Sequence, residues 1–150
     1  MLGNKMLTVI IESPFAGNVK KNLSYVRAAM RDCLARNESP YASHALLTQD
    51  GVLNDDIPAE RQWGIDAGLA LGAKLDKTVV YTDLGLSKGM KYGIENAKKA
   101  NRPIEFRTLP GWVSEERESK SYKYRALAYA FVGVSVLSLW IFTSIYLASN

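Results

Sequence analysis

The chain has 150 residues, which suffices for one domain with its own hydrophobic core. Its 19 Lys and Arg against 15 Asp and Glu leave a net charge of +4, and no basic run interleaves with aromatic residues, which argues against nucleic acid as a partner. The single cysteine, Cys33, excludes an internal disulfide framework and any multi-cysteine metal site.

The first part of the chain predicts a strand followed by a helix. Leu7–Ile11 is a continuous run of apolar, mostly β-branched residues, typical of a strand buried on both faces. The turn residues Ser13–Gly17 end this strand, and Asn18 is suited to cap a helix that reaches about Arg36. The apolar positions of that helix recur at steps of three and four: Val19, Leu23, Val26, Met30 and Cys33.

The middle of the chain predicts two further strands around a long helix. After a break at Asn37–Pro40, the segment Tyr41–Thr48 is predicted as the second strand. A polar loop then leads to a helix from about Pro58 to Leu75, because proline is accepted in a first helical turn. Thr78–Thr82 is predicted as the third strand, again short and apolar.

The last part of the domain predicts one more helix and strand. A glycine-bearing loop, Asp83–Gly89, opens a helix that ends near Asn101, and Ile104–Leu109 is predicted as the fourth strand. Strands that alternate with helices in this way predict an α/β domain with a parallel sheet and helices on both faces. We expect this domain to cover residues 1–110.

The C-terminal segment predicts a membrane anchor. No charged residue follows Arg125, and residues 125–148 are long enough to cross the hydrocarbon core as one transmembrane helix. Residues 111–124 are polar and of mixed charge, which indicates a juxtamembrane tether. Because basic residues precede the span and none follow it, the positive-inside rule predicts a single-pass protein with its N-terminal domain in the cytoplasm.

The carboxyl ends of the predicted strands are the expected ligand edge. Ligands of open α/β sheets bind beyond these ends, which here are followed by the segments Ser13–Asn18, Thr48–Arg61 and Asp83–Gly89. Helix N-termini after Gly17 and after Gly89 favour an anion such as phosphate. The alternative is that these glycines serve turn geometry alone, since neither loop matches a Walker A or GxGxxG motif.

One histidine and several carboxylates are candidates for chemistry at this edge. His44 either contacts ligand or is a core imidazole, and no cysteine or second histidine accompanies it, so no metal or cofactor is expected. Glu12 ends the first strand, Asp83 follows the third, and Glu95 lies in the next helix. A carboxylate near a ribose or phosphate site can stabilise or trap an oxocarbenium-like sugar, whereas the alternative for each is a solvated surface acid. Asp76, at the amino end of a strand, is interpreted as structural.

Four segments together resemble a known group of proteins. They are Ser13-Pro14-Phe15-Ala16-Gly17, Ser43-His44-Ala45-Leu46-Leu47, Pro58-Ala59-Glu60-Arg61 and the stretch from Ser87 to Ala97. In this order they resemble small phage and bacterial domains of unknown function that are similar to nucleoside 2-deoxyribosyltransferases and deoxynucleoside monophosphate N-glycosidases. The resemblance covers roughly residues 7–109.

The resemblance implies a Rossmann-like or flavodoxin-like fold, a nucleoside or nucleotide ligand, and often a homo-oligomer. The enzymes of this group cleave the bond between deoxyribose and base with a glutamate nucleophile. The resemblance implies that the loop Ser13–Gly17 contacts the nucleoside and that the loop Ser87–Gly89 holds sugar or phosphate. With the candidates at the sheet edge, the expected ligand-binding residues are Ser13, Pro14, Phe15, Gly17, His44, Arg61, Ser87 and Gly89, and the expected carboxylate is Glu95 or Asp83. The enzymes usually place their glutamate four residues after the loop glycine, where this chain has Gly93. Glu95 follows two residues later, about 200° further around the helix.

Three functions therefore stay open at the level of sequence. The first is a membrane-anchored enzyme that cleaves or transfers at the N-glycosidic bond. The second is a non-catalytic, membrane-tethered nucleotide-binding module. The third is a protein whose domain mediates protein contacts, for instance a phage product that acts on its host at the inner membrane.

Overall fold

A computed structural model of the chain describes residues 5–113, which form four strands and four helices. In chain order these are β1 (Leu7–Glu12), α1 (Val19–Ala35), β2 (Glu38–Tyr41), α2 (Ser43–Leu46), α3 (Pro58–Gly72), β3 (Lys77–Tyr81), α4 (Lys88–Lys99) and β4 (Ile104–Arg107). The predicted transmembrane helix at 125–148 and most of the predicted tether lie outside the described residues. Within residues 5–113, no helix has the length and apolar character needed to cross a bilayer.

The four strands form one parallel sheet in the order β2-β1-β3-β4. Helices connect the consecutive strands, as parallel pairing requires, so the predicted parallel α/β architecture is confirmed. Strand β2 pairs with one side of β1, and β3 pairs with the other side. The strand order therefore reverses beside β1, and the crevice beyond the carboxyl end of β1 is the expected ligand position in such a sheet.

Helices cover both faces of the sheet. On one face, the side chains of β1 and β3 pack with the buried residues of α1 around Tyr25. On the other face, Val80 packs with Met90 and Ile94 of α4. Helix α3 also approaches this second face closely, because a Cβ at Gly72 would lie 2.9 Å from Ile10 Cδ1.

The buried side of α1 differs from the predicted apolar stripe. Val26 and Cys33 are buried as predicted, but Val19 is exposed, and the other buried positions are Asn22, Tyr25 and Ala29. The Tyr25 hydroxyl donates to the Asp83 carboxylate, and the Tyr25 ring packs edge-on against Trp112 at a centroid distance of 4.8 Å. The predicted cap is confirmed, since Asn18 Oδ1 accepts a hydrogen bond from the Lys21 N–H at 3.0 Å.

The second strand is where the sequence prediction was wrong. Residues 38–41 form β2, although residues 37–40 were predicted as a break, and residues 43–46 form the short helix α2 instead of a strand. Strand β2 is at the sheet edge and pairs only with β1, so it tolerates Pro40 and needs no continuous apolar run. Its inward residue is the buried Glu38.

A buried ionic cluster joins β2, β3 and β4. The Arg107 guanidinium donates to both carboxylate oxygens of Glu38, at 2.7 and 2.8 Å, and also to Glu105. Lys77 bonds the same two carboxylates at 2.9 and 2.8 Å. The hydrogen bonds from Arg107 hold the pKa values of Glu38 and Glu105 at about 2. This cluster therefore links β2 to β3 and β4 across β1, which lies between β2 and β3 in the sheet.

Asp76 has the structural role that the sequence analysis assigned to it. Its Oδ2 accepts hydrogen bonds from both the backbone N–H and the hydroxyl of Thr8, each at 2.7 Å. These bonds join the amino ends of β1 and β3, which is the sheet edge opposite the ligand crevice.

Candidate functional site

A pocket of about 580 Å³ opens beyond the carboxyl end of β1, at the reversal of strand order. Its walls come from the end of β1 and the loop that follows, from α2, from one side of α3 and from the first turns of α4. The apolar part of the wall includes Ile10, Leu47, Leu53, Ile65, Leu69 and Met90. Such a volume, with apolar side chains beside several polar ones, fits a small organic ligand.

The loop after β1 is held in place by Asn22 of α1. The Asn22 side-chain amide donates to the carbonyl oxygens of Phe15 and Ala16, at 2.8 and 3.0 Å, from a position that is buried. The next residue, Gly17, has φ of +90°, a backbone conformation that a side chain would strain. Asn22 and Gly17 together direct Ser13 and Phe15 toward the pocket.

We expect Asn22→Ala to lower the free energy of unfolding by about 1–2 kcal/mol, because two loop carbonyl groups lose their donor. Ligand affinity should fall as well, since the loop that lines the pocket is less ordered. Asn96→Ala is the matched control, because the Asn96 amide donates to the Tyr92 carbonyl on the exposed side of α4. Urea denaturation and ligand titration of both variants check this prediction, and equal losses in the two would contradict it.

Ser13 and His44 form a hydrogen-bonded pair in the wall, with Ser13 Oγ 2.8 Å from His44 Nε2. His44 lies in α2, not on the predicted strand, and its ring meets the edge of Phe15 at a centroid distance of 6.3 Å. Burial lowers the pKa of His44 to about 4. The imidazole is therefore neutral at pH 7, and it serves as a hydrogen-bonding group without carrying a charge.

The first turn of α4 forms the opposite wall. Ser87 caps the helix, with its Oγ accepting from the Met90 N–H at 3.2 Å, and Ser87, Lys88 and Gly89 all line the pocket. The helix begins at Lys88, so Gly89 lies inside its first turn instead of preceding it. The positive end of the α4 dipole and the Lys88 ammonium both favour a negatively charged ligand group at this wall.

Charged residues surround the mouth of the pocket. Arg61 of α3 forms an ion pair with Asp55, and Glu60 accepts a hydrogen bond from the Asn54 N–H at 2.6 Å. The Arg61 side chain is 44% exposed, so it is available to a ligand that extends out of the pocket.

Glu12 lines the pocket at the end of β1, and Asp55 and Glu60 are the other carboxylates of the lining. Burial raises the pKa of Glu12 to about 8, although the charge of Arg102 acts in the opposite direction. Within residues 5–113, the Glu12 carboxyl group forms no hydrogen bond and no salt bridge. It differs in this respect from the paired, buried Glu38.

The two carboxylates selected from the resemblance lie elsewhere. Asp83 accepts hydrogen bonds from the Tyr25 hydroxyl and from the Leu109 N–H, and it does not line the pocket. Glu95 is exposed on α4 and pairs with Lys98 at 2.7 Å, which lowers its pKa. Both side chains have structural partners on other parts of the surface.

The structure brings most of the predicted ligand-binding residues together. Those that line the pocket are Ser13, Phe15, His44, Arg61, Ser87 and Gly89. Pro14 is buried beside the pocket without lining it, and Gly17 lines an adjoining open groove of about 830 Å³. These placements describe where the residues lie, and their binding roles stay a prediction.

Two glycines of α3 that shape the pocket were not predicted as site residues from the sequence. Gly64 and Gly68 of α3 line it, and a Cβ at Gly68 would lie 2.9 Å from Ser43 Oγ. Gly93 of α4 faces Glu12, and a Cβ there would lie 2.1 Å from Glu12 Oε1. The spacing of four residues from Gly64 to Gly72 was a visible signal, because it puts these glycines on one side of a helix.

Comparison with known proteins identifies a family and structural similarity to solved proteins. The family model described as "Domain of unknown function (DUF7768)" matches residues 7–107. A solved 2-deoxyribosyltransferase from the psychrotolerant bacterium Bacillus psychrosaccharolyticus is similar, with a TM-score of 0.55 and 13% sequence identity over 73% of this chain and 78% of that chain. At this identity the similarity concerns the fold. No curated protein matches the chain.

Proposed function

The chain belongs to the family described as a domain of unknown function, DUF7768, and we propose that it binds a nucleoside or nucleotide and cleaves or transfers at the N-glycosidic bond of a deoxyribosyl group. The observation that carries this proposal is the pocket at the carboxyl end of β1, which joins an apolar slot, a helix N-terminus and the carboxyl group of Glu12. The fold shared with a 2-deoxyribosyltransferase supports it.

The chemistry of the walls fits the parts of a nucleotide. A planar base suits the apolar slot beside Phe15, because aromatic rings offer a face or an edge for stacking. The sugar hydroxyls suit the Ser13–His44 pair, and a phosphate suits the first turn of α4 with Lys88. Arg61 is near enough to the mouth to contact a group that extends outward.

The test uses the full chain, purified in a mild detergent, with deoxynucleosides and deoxynucleoside 5′-monophosphates. We expect release of free base, measured by chromatography, and a thermal stabilisation by the bound ligand. A ligand at 100 times its Kd adds about 2.7 kcal/mol to the free energy of unfolding, because it binds only the native state. Deoxyribose and inorganic phosphate alone are the controls, and the absence of both base release and stabilisation would contradict the proposal.

A second candidate function is nucleotide binding without turnover. It is favoured by the exposed position of Glu95 and by Gly93 at the position where the resembled enzymes carry glutamate. Stabilisation by a nucleotide, with no base released, is the result that this function predicts.

We also propose that residues 125–148 anchor the protein in a membrane with the domain on the cytoplasmic side, which is the host inner membrane if the chain is phage-encoded. The support is the sequence alone, in which no charge follows Arg125. Cell fractionation should find the chain with the membranes, and protease added outside spheroplasts should leave residues 1–112 intact. Digestion of the domain from outside would contradict the orientation.

A further inference from the structure

The Glu12 carboxyl group occupies the space that a side chain at position 93 would otherwise fill. Glu12 ends β1, and Gly93 lies in the second turn of α4, where both line the pocket. A Cβ added at Gly93 would lie 2.1 Å from Glu12 Oε1, 2.4 Å from its Cδ and 2.7 Å from its Oε2. Any side chain at position 93 would therefore overlap the Glu12 carboxyl group, so glycine on α4 is what allows this carboxyl group to enter the pocket.

Among residues 5–113, Glu12 has no hydrogen-bonding or ionic partner that would explain its burial. Within residues 5–113 its carboxyl group forms no hydrogen bond, whereas the buried Glu38 is bonded to both Arg107 and Lys77. The cation that lowers its pKa is Arg102, but that guanidinium is already bonded to Thr78 Oγ1 and to the Gly72 carbonyl. Burial of an unpaired carboxyl group is costly, and such a group in a cleft is a candidate for function.

We propose that Glu12 is the catalytic carboxylate of the pocket and that it reaches the substrate sugar through the space left by Gly93. This inference rests on the proposed function. An ionised Glu12 oxygen bonds to the anomeric carbon, the bond from that carbon to the base nitrogen breaks, and the base leaves with the electron pair and takes a proton from water. A water molecule then attacks the anomeric carbon, releases the Glu12 carboxylate and yields free deoxyribose.

The pH dependence of the reaction follows from the surroundings of Glu12. The ionisable groups around it are His44, neutral at pH 7, and Arg102, together with the charges at the pocket mouth: Asp55, Glu60, Arg61 and Lys88. Because burial raises the pKa of Glu12 to about 8, the ionised form increases between pH 6 and pH 8. We expect kcat/KM to rise over this interval, whereas a protonated Glu12 acting as an acid would give a fall.

Glu12→Gln tests the role of the carboxylate with almost no change of shape. Base release by this variant should fall by at least about 100-fold, because the amide cannot attack the anomeric carbon. The matched control is Asp66→Asn on α3, the same exchange of acid for amide at an exposed residue outside the pocket. Equal activity of Glu12→Gln and wild type would overturn the inference and leave the proposed function standing.

A pair of variants tests the shared space. Gly93→Ala should abolish most activity, because the added Cβ displaces the Glu12 carboxyl group. The double variant Glu12→Ala with Gly93→Glu supplies a carboxylate from the helix side, and this carboxylate extends into the pocket beyond the volume that the Glu12 carboxyl group vacates, because the Cβ of residue 93 fills that volume. It should recover part of the rate of base release that Glu12→Ala loses. The recovery should be incomplete, because a catalytic group displaced by about 1 Å can lose 100-fold in rate. No recovery in a double variant that still binds nucleotide would overturn the shared-space argument.

Covalent trapping identifies the attacking residue directly. A 2′-fluoroarabinosyl nucleoside should slow the second step and leave a glycosyl adduct, located by mass spectrometry of tryptic peptides. Trypsin places Glu12 in the peptide Met6–Lys20, where it is the only acidic residue, and places Asp83 and Glu95 in separate peptides. An adduct on Met6–Lys20 would support the inference, and one on any other peptide, including peptide 37–61 with Asp55 and Glu60, would overturn it. A wild-type chain that releases no base overturns both this inference and the enzymatic function.

Discussion

Replacing Arg107 by methionine is expected to lower the free energy of unfolding by about 3–5 kcal/mol, because it leaves a buried carboxylate without its main partner. The side chains of Arg107 and Glu38 are each only 5% exposed and are joined by two hydrogen bonds. The Arg107 hydrogen bonds are also the largest cause that lowers the pKa of Glu38. Lys77 bonds only one Glu38 oxygen and is shared with Glu105, so it cannot compensate fully.

Two further variants show whether the loss of stability comes from burial of the Arg107–Glu38 pair or would follow the loss of any ion pair. Arg36→Met removes an ion pair of 2.8 Å to Asp32, but the Arg36 side chain is 50% exposed, so the loss should stay below about 1 kcal/mol. The double variant Glu38→Met with Arg107→Met should be more stable than Arg107→Met alone, because no unpaired charge is left buried. Urea denaturation measures all of them. A loss with Arg107→Met no larger than that with Arg36→Met would contradict the prediction.

Glu12→Gln is expected to stabilise the folded domain at pH 8, and the gain should grow as the pH rises. The folded-state pKa of Glu12, about 8, is above its ordinary value of 4.5, so the folded form retains a proton that the unfolded form has lost. Stability from this group is therefore complete below pH 4.5 and is lost as the pH rises to 8. Between pH 6.5 and pH 8 the wild type should lose about 2 kcal/mol, whereas the amide should lose none.

The interval from pH 6.5 to pH 8 isolates Glu12 from the other titrating group of the pocket. His44 has a folded-state pKa of about 4, below its ordinary value of 6.5, so it lowers stability only as the pH falls below 6.5. The measurement is the difference in free energy of unfolding between wild type and Glu12→Gln at several pH values. A difference that does not change from pH 6.5 to pH 8 would show that Glu12 is not a buried, protonated group.

The local sequence predicts the central strands of the sheet better than the edge strand β2. The segments that became β1 and β3 were identifiable because the two central strands are buried on both faces and must be continuously apolar. The edge strand β2 carries Glu38, Ser39 and Pro40 and so lacked that signal. The apolar residues after it, Ala42 to Leu47, were assigned to a strand although they belong to α2 and its flanks.

Some features of the pocket could likewise be predicted from the sequence, and others could not. Parallel topology alone places the segments after β1 and before α4 at one edge, so Ser13, Phe15, Ser87 and Gly89 were correctly expected near each other. His44 reaches the pocket as well, from a helix instead of a strand. The membrane anchor, the oligomeric state and the binding role of each residue stay predictions.

The sequence by itself determined the parallel α/β architecture, the edge at which ligands are expected and the departure at Gly93, because these follow from periodicity, topology and comparison of motifs. The tertiary structure decided which carboxylate enters the pocket. Glu12 and Gly93 are far apart along the chain, and only the packing of α4 on β1 shows that one fills the space the other leaves. The same packing puts Glu95 on the surface with Lys98. Side-chain direction depends on contacts between distant elements, which no local pattern encodes.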